Sequence, residues 1–90
     1  MKLATFTSDG GKNIFDAVKF SHGLIVSGCM TVNQARAFSN AVSGFRVDWL
    51  TVERIGAGPF YVTARTGRGN MVTFQVGRNG HYSAPVLNEQ

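Results

Sequence analysis

Ninety residues with 43% hydrophobic content, seven phenylalanines and one tryptophan make one domain with enough apolar material to fold without a metal or disulfide, which excludes a disordered chain. The single cysteine, Cys29, cannot close an internal bridge, and the longest apolar run, Leu24-Ile25-Val26, is too short for a membrane-spanning helix. Nine Lys and Arg against five Asp and Glu give a formal charge of +4, which favours acidic partners such as RNA, DNA or an acidic protein surface, with a solubilising charge as the alternative.

In chain order, residues 2–7 alternate Leu3, Thr5 and Thr7 against Ala4 and Phe6 and then meet Ser8-Asp9-Gly10-Gly11, a strand followed by a turn cluster. No charged-then-apolar leader opens the chain, so a reducing, intracellular setting is expected. From Asn13 the spacing changes. Ile14, Phe15 and Val18 suit one helical face, Asn13 can cap, Asp16 sits in the first turn and Gly23 can stop the run, which predicts a short helix over 14–22. A strand is the alternative, since Ile14, Asp16, Val18 and Phe20 also alternate. Residues 24–30 then read as a buried connection or a short strand.

Thr31-Val32-Asn33-Gln34 is a capping box, in which the Thr side chain accepts from the backbone N–H three residues on and Gln reaches back to the Thr N–H. Val32, Ala35, Phe38 and Val42 recur on one face before Ser43-Gly44, so a helix over 32–43 is the main helix. Four apolar-alternating runs follow, 47–55, 60–66, 71–76 and 81–86, separated by Gly56-Ala57-Gly58-Pro59, Gly67-Arg68-Gly69-Asn70 and Gly77-Arg78-Asn79-Gly80. The expected fold is α+β: a four-stranded antiparallel meander packed on one main helix, with an N-terminal strand and a short second helix, all in one domain spanning 1–90.

Alternation assigns the faces of this meander. Leu50, Val52, Phe60, Val62, Ala64, Val72, Phe74 and Val76 form one apolar set that should pack on helix 32–43. The other face presents Trp49, Thr51, Glu53, Tyr61, Thr63, Arg65, Met71, Thr73 and Gln75. Either it is open to a partner, or the N-terminal strand and short helix cover part of it and bury Trp49 as core.

Five of the six arginines (Arg46, Arg54, Arg65, Arg68 and Arg78) lie inside the meander, where only Asp48 and Glu53 oppose them. Consecutive hairpin turns fall at opposite ends of a meander. Arg46, Arg65 and Arg68 are therefore expected at one end, and Arg54 and Arg78 at the other.

Glycine beside arginine in the 67–70 and 77–80 turns lets backbone N–H groups and a guanidinium approach a phosphate. Neither GxGxxG nor GxxxxGK[ST] is present, and Asn79-Gly80 reads first as a type I′ hairpin turn. A turn needs no arginine, so the arginines remain binding candidates. The RNA-recognition strand that begins Arg/Lys-Gly-aromatic is not matched by Arg68-Gly69-Asn70, which lacks the stacking ring. His22, His81 and Cys29 have no zinc-site spacing, and no nucleophile elbow or paired-carboxylate cluster appears. No cofactor, metal or enzyme activity is expected.

The capped helix Thr31-Val32-Asn33-Gln34-Ala35-Arg36, followed by Val52-Glu53-Arg54-Ile55 and a tight turn into Phe60-Tyr61-Val62, resembles small phage-encoded anti-CRISPR proteins that inhibit type I surveillance complexes. The resemblance covers residues 31–66. It implies stoichiometric binding to a CRISPR ribonucleoprotein, its protein subunits and guide RNA, in the cytoplasm of a bacterial host, with target DNA blocked from pairing. No membrane and no small-molecule substrate are expected as partners. Many members are strongly acidic; this chain is basic, so guide-RNA phosphates or acidic protein patches are the expected contacts, through Arg46, Arg65, Arg68 and Arg78, with Trp49 and Tyr61 as anchors. A stand-alone single-stranded nucleic-acid-binding domain and a small structural subunit of a phage or bacterial assembly are the alternatives.

Overall fold

A computed structural model describes residues 2–43, 46–66, 69–80 and 86–88. Seven elements follow one another: β1 (Lys2–Thr7), α1 (Ala17–Val26), α2 (Val32–Val42), β2 (Val47–Arg54), β3 (Phe60–Thr66), β4 (Met71–Val76) and β5 (Val86–Asn88). The strands form one sheet in the order β1-β2-β3-β4-β5, with each neighbouring pair antiparallel. The architecture is α+β, a meander packed on helices with the N-terminal strand added at its edge. The last meander strand, expected over 81–86, is described at Val86–Asn88; residues 81–85, His81 among them, lie outside the described residues.

Period-two alternation builds the sheet's buried face. Leu50, Val52, Phe60, Val62, Ala64, Val72, Phe74 and Val76 are all buried, as their spacing predicts. Two bulges break the count. Val47 opposes Thr66 and Trp49 opposes Arg65, so Asp48 is the extra residue and Val47 joins Leu50 in the core. In β1 the register slips between Lys2 and Ala4, and Leu3 packs with Ala4 against the core.

The helix boundaries follow from their caps. α2 carries the predicted capping box: Gln34 N–H donates to Thr31 Oγ1 at 3.2 Å and Thr31 N–H donates to Gln34 Oε1 at 2.9 Å. The expected short helix over 14–22 lies instead at Ala17–Val26. Asp16, not Asn13, is the cap, its carboxylate accepting from Lys19 N–H at 3.1 Å. Gly23 sits inside this helix, and the stop is Gly28 at φ +81°. There Cys29 N–H donates to Leu24 O and Gly28 N–H to Ile25 O, each at 3.0 Å, which is a Schellman ending that needs a left-handed residue. The segment read as a connection or strand from Leu24 is thus the last turn of α1 and its cap.

Both helices cover the same side of the sheet. A chain of rings runs across the core from Phe6 to Phe15, Phe20, Phe38 and Phe74, with centroids 5.1, 5.5, 5.8 and 6.3 Å apart. Phe38 is completely buried and links α1 through Phe20 to β4 through Phe74. Removing a side chain in such a position costs about 3–5 kcal/mol, because the cavity collapses only in part.

Candidate functional site

Among the described residues, no helix lies on the sheet face opposite α1 and α2. β1 lies beside β2 rather than across the sheet, and α1 packs against α2, so neither buries Trp49, which is half-exposed. Register sorts this face into rows. One row runs Thr7, Trp49, Arg65, Met71; the next Thr5, Thr51, Thr63, Thr73; the third Glu53, Tyr61, Gln75. Neighbouring strands are about 4.8 Å apart, and positions four residues apart on one strand are separated by roughly 14 Å. Trp49 and Tyr61 therefore cannot grip one ring between them, and they anchor two separate points of a partner. Between them the threonine row is sunken, with Thr51 almost fully submerged at 3% exposure and Thr63 and Thr73 half-buried, while Tyr61 stands out at 42%.

Charge on this face is graded. Arg65 is exposed beside Trp49, whereas Glu53 is exposed in the far row. Arg46, just before β2, shares the Arg65 end, since Val47 opposes Thr66. Its Nε lies 3.9 Å from Asp48 Oδ1, a solvent-exposed pair that contributes little to stability. The structure thus brings Arg46 and Arg65 to one end, as the meander topology predicts. Arg68 lies outside the described residues.

The other end gathers Arg54 and Arg78 in a cleft of about 330 Å³, with Thr31 and Gln34 at the start of α2. Arg54 has structural work there. Its Nε donates to Gly58 O at 2.9 Å, and its guanidinium lies 4.4 Å over the Phe60 ring, which fastens the turn between β2 and β3. Gln34 Nε2 donates to Arg78 O at 3.3 Å and ties the 77–80 turn to α2. That turn is not type I′. Arg78 and Asn79 are absent from the positive-φ residues, Gly80 N–H donates to Gly77 O at 3.1 Å, and Gly80 alone takes φ +80°. The turn is closed by that hydrogen bond and ends on a left-handed glycine. A Cβ on Gly80 would lie 3.0 Å from the Asn33 carbonyl oxygen, so close approach to α2 is a second reason for glycine.

One feature of the molecule has no counterpart in the sequence pattern. A cleft of about 790 Å³ opens between β1 and α1, with Phe6, Phe15, Phe20 and Leu24 in its lining. Ile14 and Val18, expected on one helical face, are 90% and 72% exposed, because the helix begins after Asp16, which leaves Ile14 ahead of its first turn and Val18 on its outer side. Proximity of Phe15 and Phe20 was the available signal, but which strand they would face depends on tertiary packing. His22 is exposed on α1, Cys29 is half-buried with Ser27 Oγ 3.2 Å from its sulfur, and no group of three metal-binding side chains occurs among the described residues.

No helix among the described residues is long and apolar enough to cross a membrane. No family model, curated protein or solved structure matches the chain.

Proposed function

We propose that this chain is a non-catalytic binding protein that inhibits a bacterial CRISPR RNA-guided surveillance complex, with the helix-free sheet face as its docking surface. The observation that carries the binding role is the row in which Trp49 and Arg65 stand side by side on an uncovered sheet, with Tyr61 a second anchor two rows away. Aromatic and arginine side chains supply most of the energy at protein interfaces, and exposed rows of them are what a partner would cover. The choice of partner comes from the resemblance of residues 31–66 to type I inhibitors. In this reading Arg65 and Arg46 contact guide-RNA phosphates or acidic subunit surface, Arg78 adds a contact at the far end, and the bound protein stands in the path of target DNA.

The adjacency of Trp49 and Arg65 also favours a second reading, a stand-alone single-stranded nucleic-acid binder, since a ring for stacking beside a guanidinium for phosphate is its minimal unit. A phage-interference assay separates the two. Hosts with an active type I system that express this protein are expected to lose clearance of a targeted phage; unchanged clearance contradicts the inhibitor. The autonomous binder instead retains free single-stranded oligonucleotide with an affinity that falls steeply with salt.

A further inference from the structure

The apolar cleft between β1 and α1 lies on the helix side of the sheet, away from Trp49 and Arg65, and the proposed function makes no use of it. Its lining combines Leu3, Phe6, Phe15, Phe20 and Leu24 with two lysines, Lys12 and Lys19. The volume of about 790 Å³ falls in the range of roughly 300–1,000 Å³ that small-molecule sites occupy, and an apolar lining with a few polar groups is their usual composition. Ile14 also lines it while 90% exposed, so this apolar surface faces water in the free protein.

The rim sets the ligand's charge. Lys12 and Lys19 are both exposed, and neither ammonium has an ion-pair partner among the described residues. Asp16 is the one carboxylate in the lining, and it is engaged at the start of α1, where it accepts from Lys19 N–H at 3.1 Å. Two ammoniums against one carboxylate leave the rim net positive. β5 does not cover the cleft, because it lies at the opposite edge of the sheet from β1, about 19 Å away across four strand spacings.

We propose that this cleft binds a small anionic amphiphile, a medium-chain carboxylate whose alkyl body lies against Phe6, Phe15 and Phe20 and whose head group meets Lys12 and Lys19. The apolar lining provides affinity without directionality. The lysines select an anion over a neutral or cationic head.

The test is a titration with decanoate, 1-decanol and decyltrimethylammonium, all below their aggregation limits, followed by calorimetry and by NMR shifts of the full chain. Decanoate is expected to saturate one site, with shifts at Leu3, Phe15 and Leu24, and to bind at least tenfold more tightly than the cationic analogue. Lys12→Glu with Lys19→Glu is expected to remove that preference while leaving 1-decanol binding within about twofold. Gly23 belongs to the lining and has open space where a Cβ would stand, so Gly23→Leu is expected to block both ligands in a chain that melts no lower than the parent. Absence of saturable decanoate binding, equal affinity for the three head groups, or shifts confined to the Trp49 face would each overturn the proposal. If Gly23→Leu fails to fold, the lysine variant decides.

Discussion

Two residues carry more of the structure than their size suggests. Phe38 is the one ring among the described residues in contact with both Phe20 and Phe74, so Phe38→Ala should lower stability by about 3–5 kcal/mol. That is a large share of the 5–15 kcal/mol typical of a domain, and thermal or urea unfolding would show it. Gly80 is constrained by φ and by Asn33 together. Gly80→Ala should cost at least the roughly 1–2 kcal/mol of a left-handed non-glycine residue, and a variant as stable as the parent would mean that the turn relaxes away from α2. Arg65 should behave oppositely: Arg65→Glu is expected to leave the melting temperature nearly unchanged, because the side chain is exposed, while weakening partner binding. Arg54→Ala should do the reverse and lower stability, since it loses the contacts to Gly58 and Phe60.

At the level of elements, alternation and capping explain why much of the fold was legible. Runs such as Phe60, Val62, Ala64 and Val72, Phe74, Val76 leave one pleat face apolar whatever they pair with, and the Thr31 to Gln34 box is a local hydrogen-bond pattern. The misread parts depend on choices the chain makes only when folded. Asn13 and Asp16 can each cap a helix, and the one chosen is the one that lets Phe15 fit between Phe6 and Phe20. Val47 shares the parity of Trp49, yet the Asp48 bulge turns it inward. The cap assignment predicts that Asp16→Ala destabilises by about 0.5–2 kcal/mol, whereas Asn13→Ala does not; equal effects would contradict it. Amide exchange should be slowest in β3, the central strand of the five, and faster along the free edge of β1.

For the molecule as a whole, the candidate site was legible as residues but not as a surface. The strand period put Trp49, Tyr61 and Arg65 on one face; whether that face was open depended on where β1 and α1 went. With β1 at the sheet edge and both helices behind it, the protein has two unlike sides, a polar-aromatic sheet and an apolar cleft edged with lysine. The central claim is that the sheet side is the one the ribonucleoprotein meets. Its most direct test is the affinity of a purified type I surveillance complex for the parent protein and for Trp49→Ala with Arg65→Glu. The account predicts saturable binding of the parent and a loss of at least a hundredfold in the variant, with both proteins equally folded. Equal binding of the two, or no binding of the parent, would contradict it.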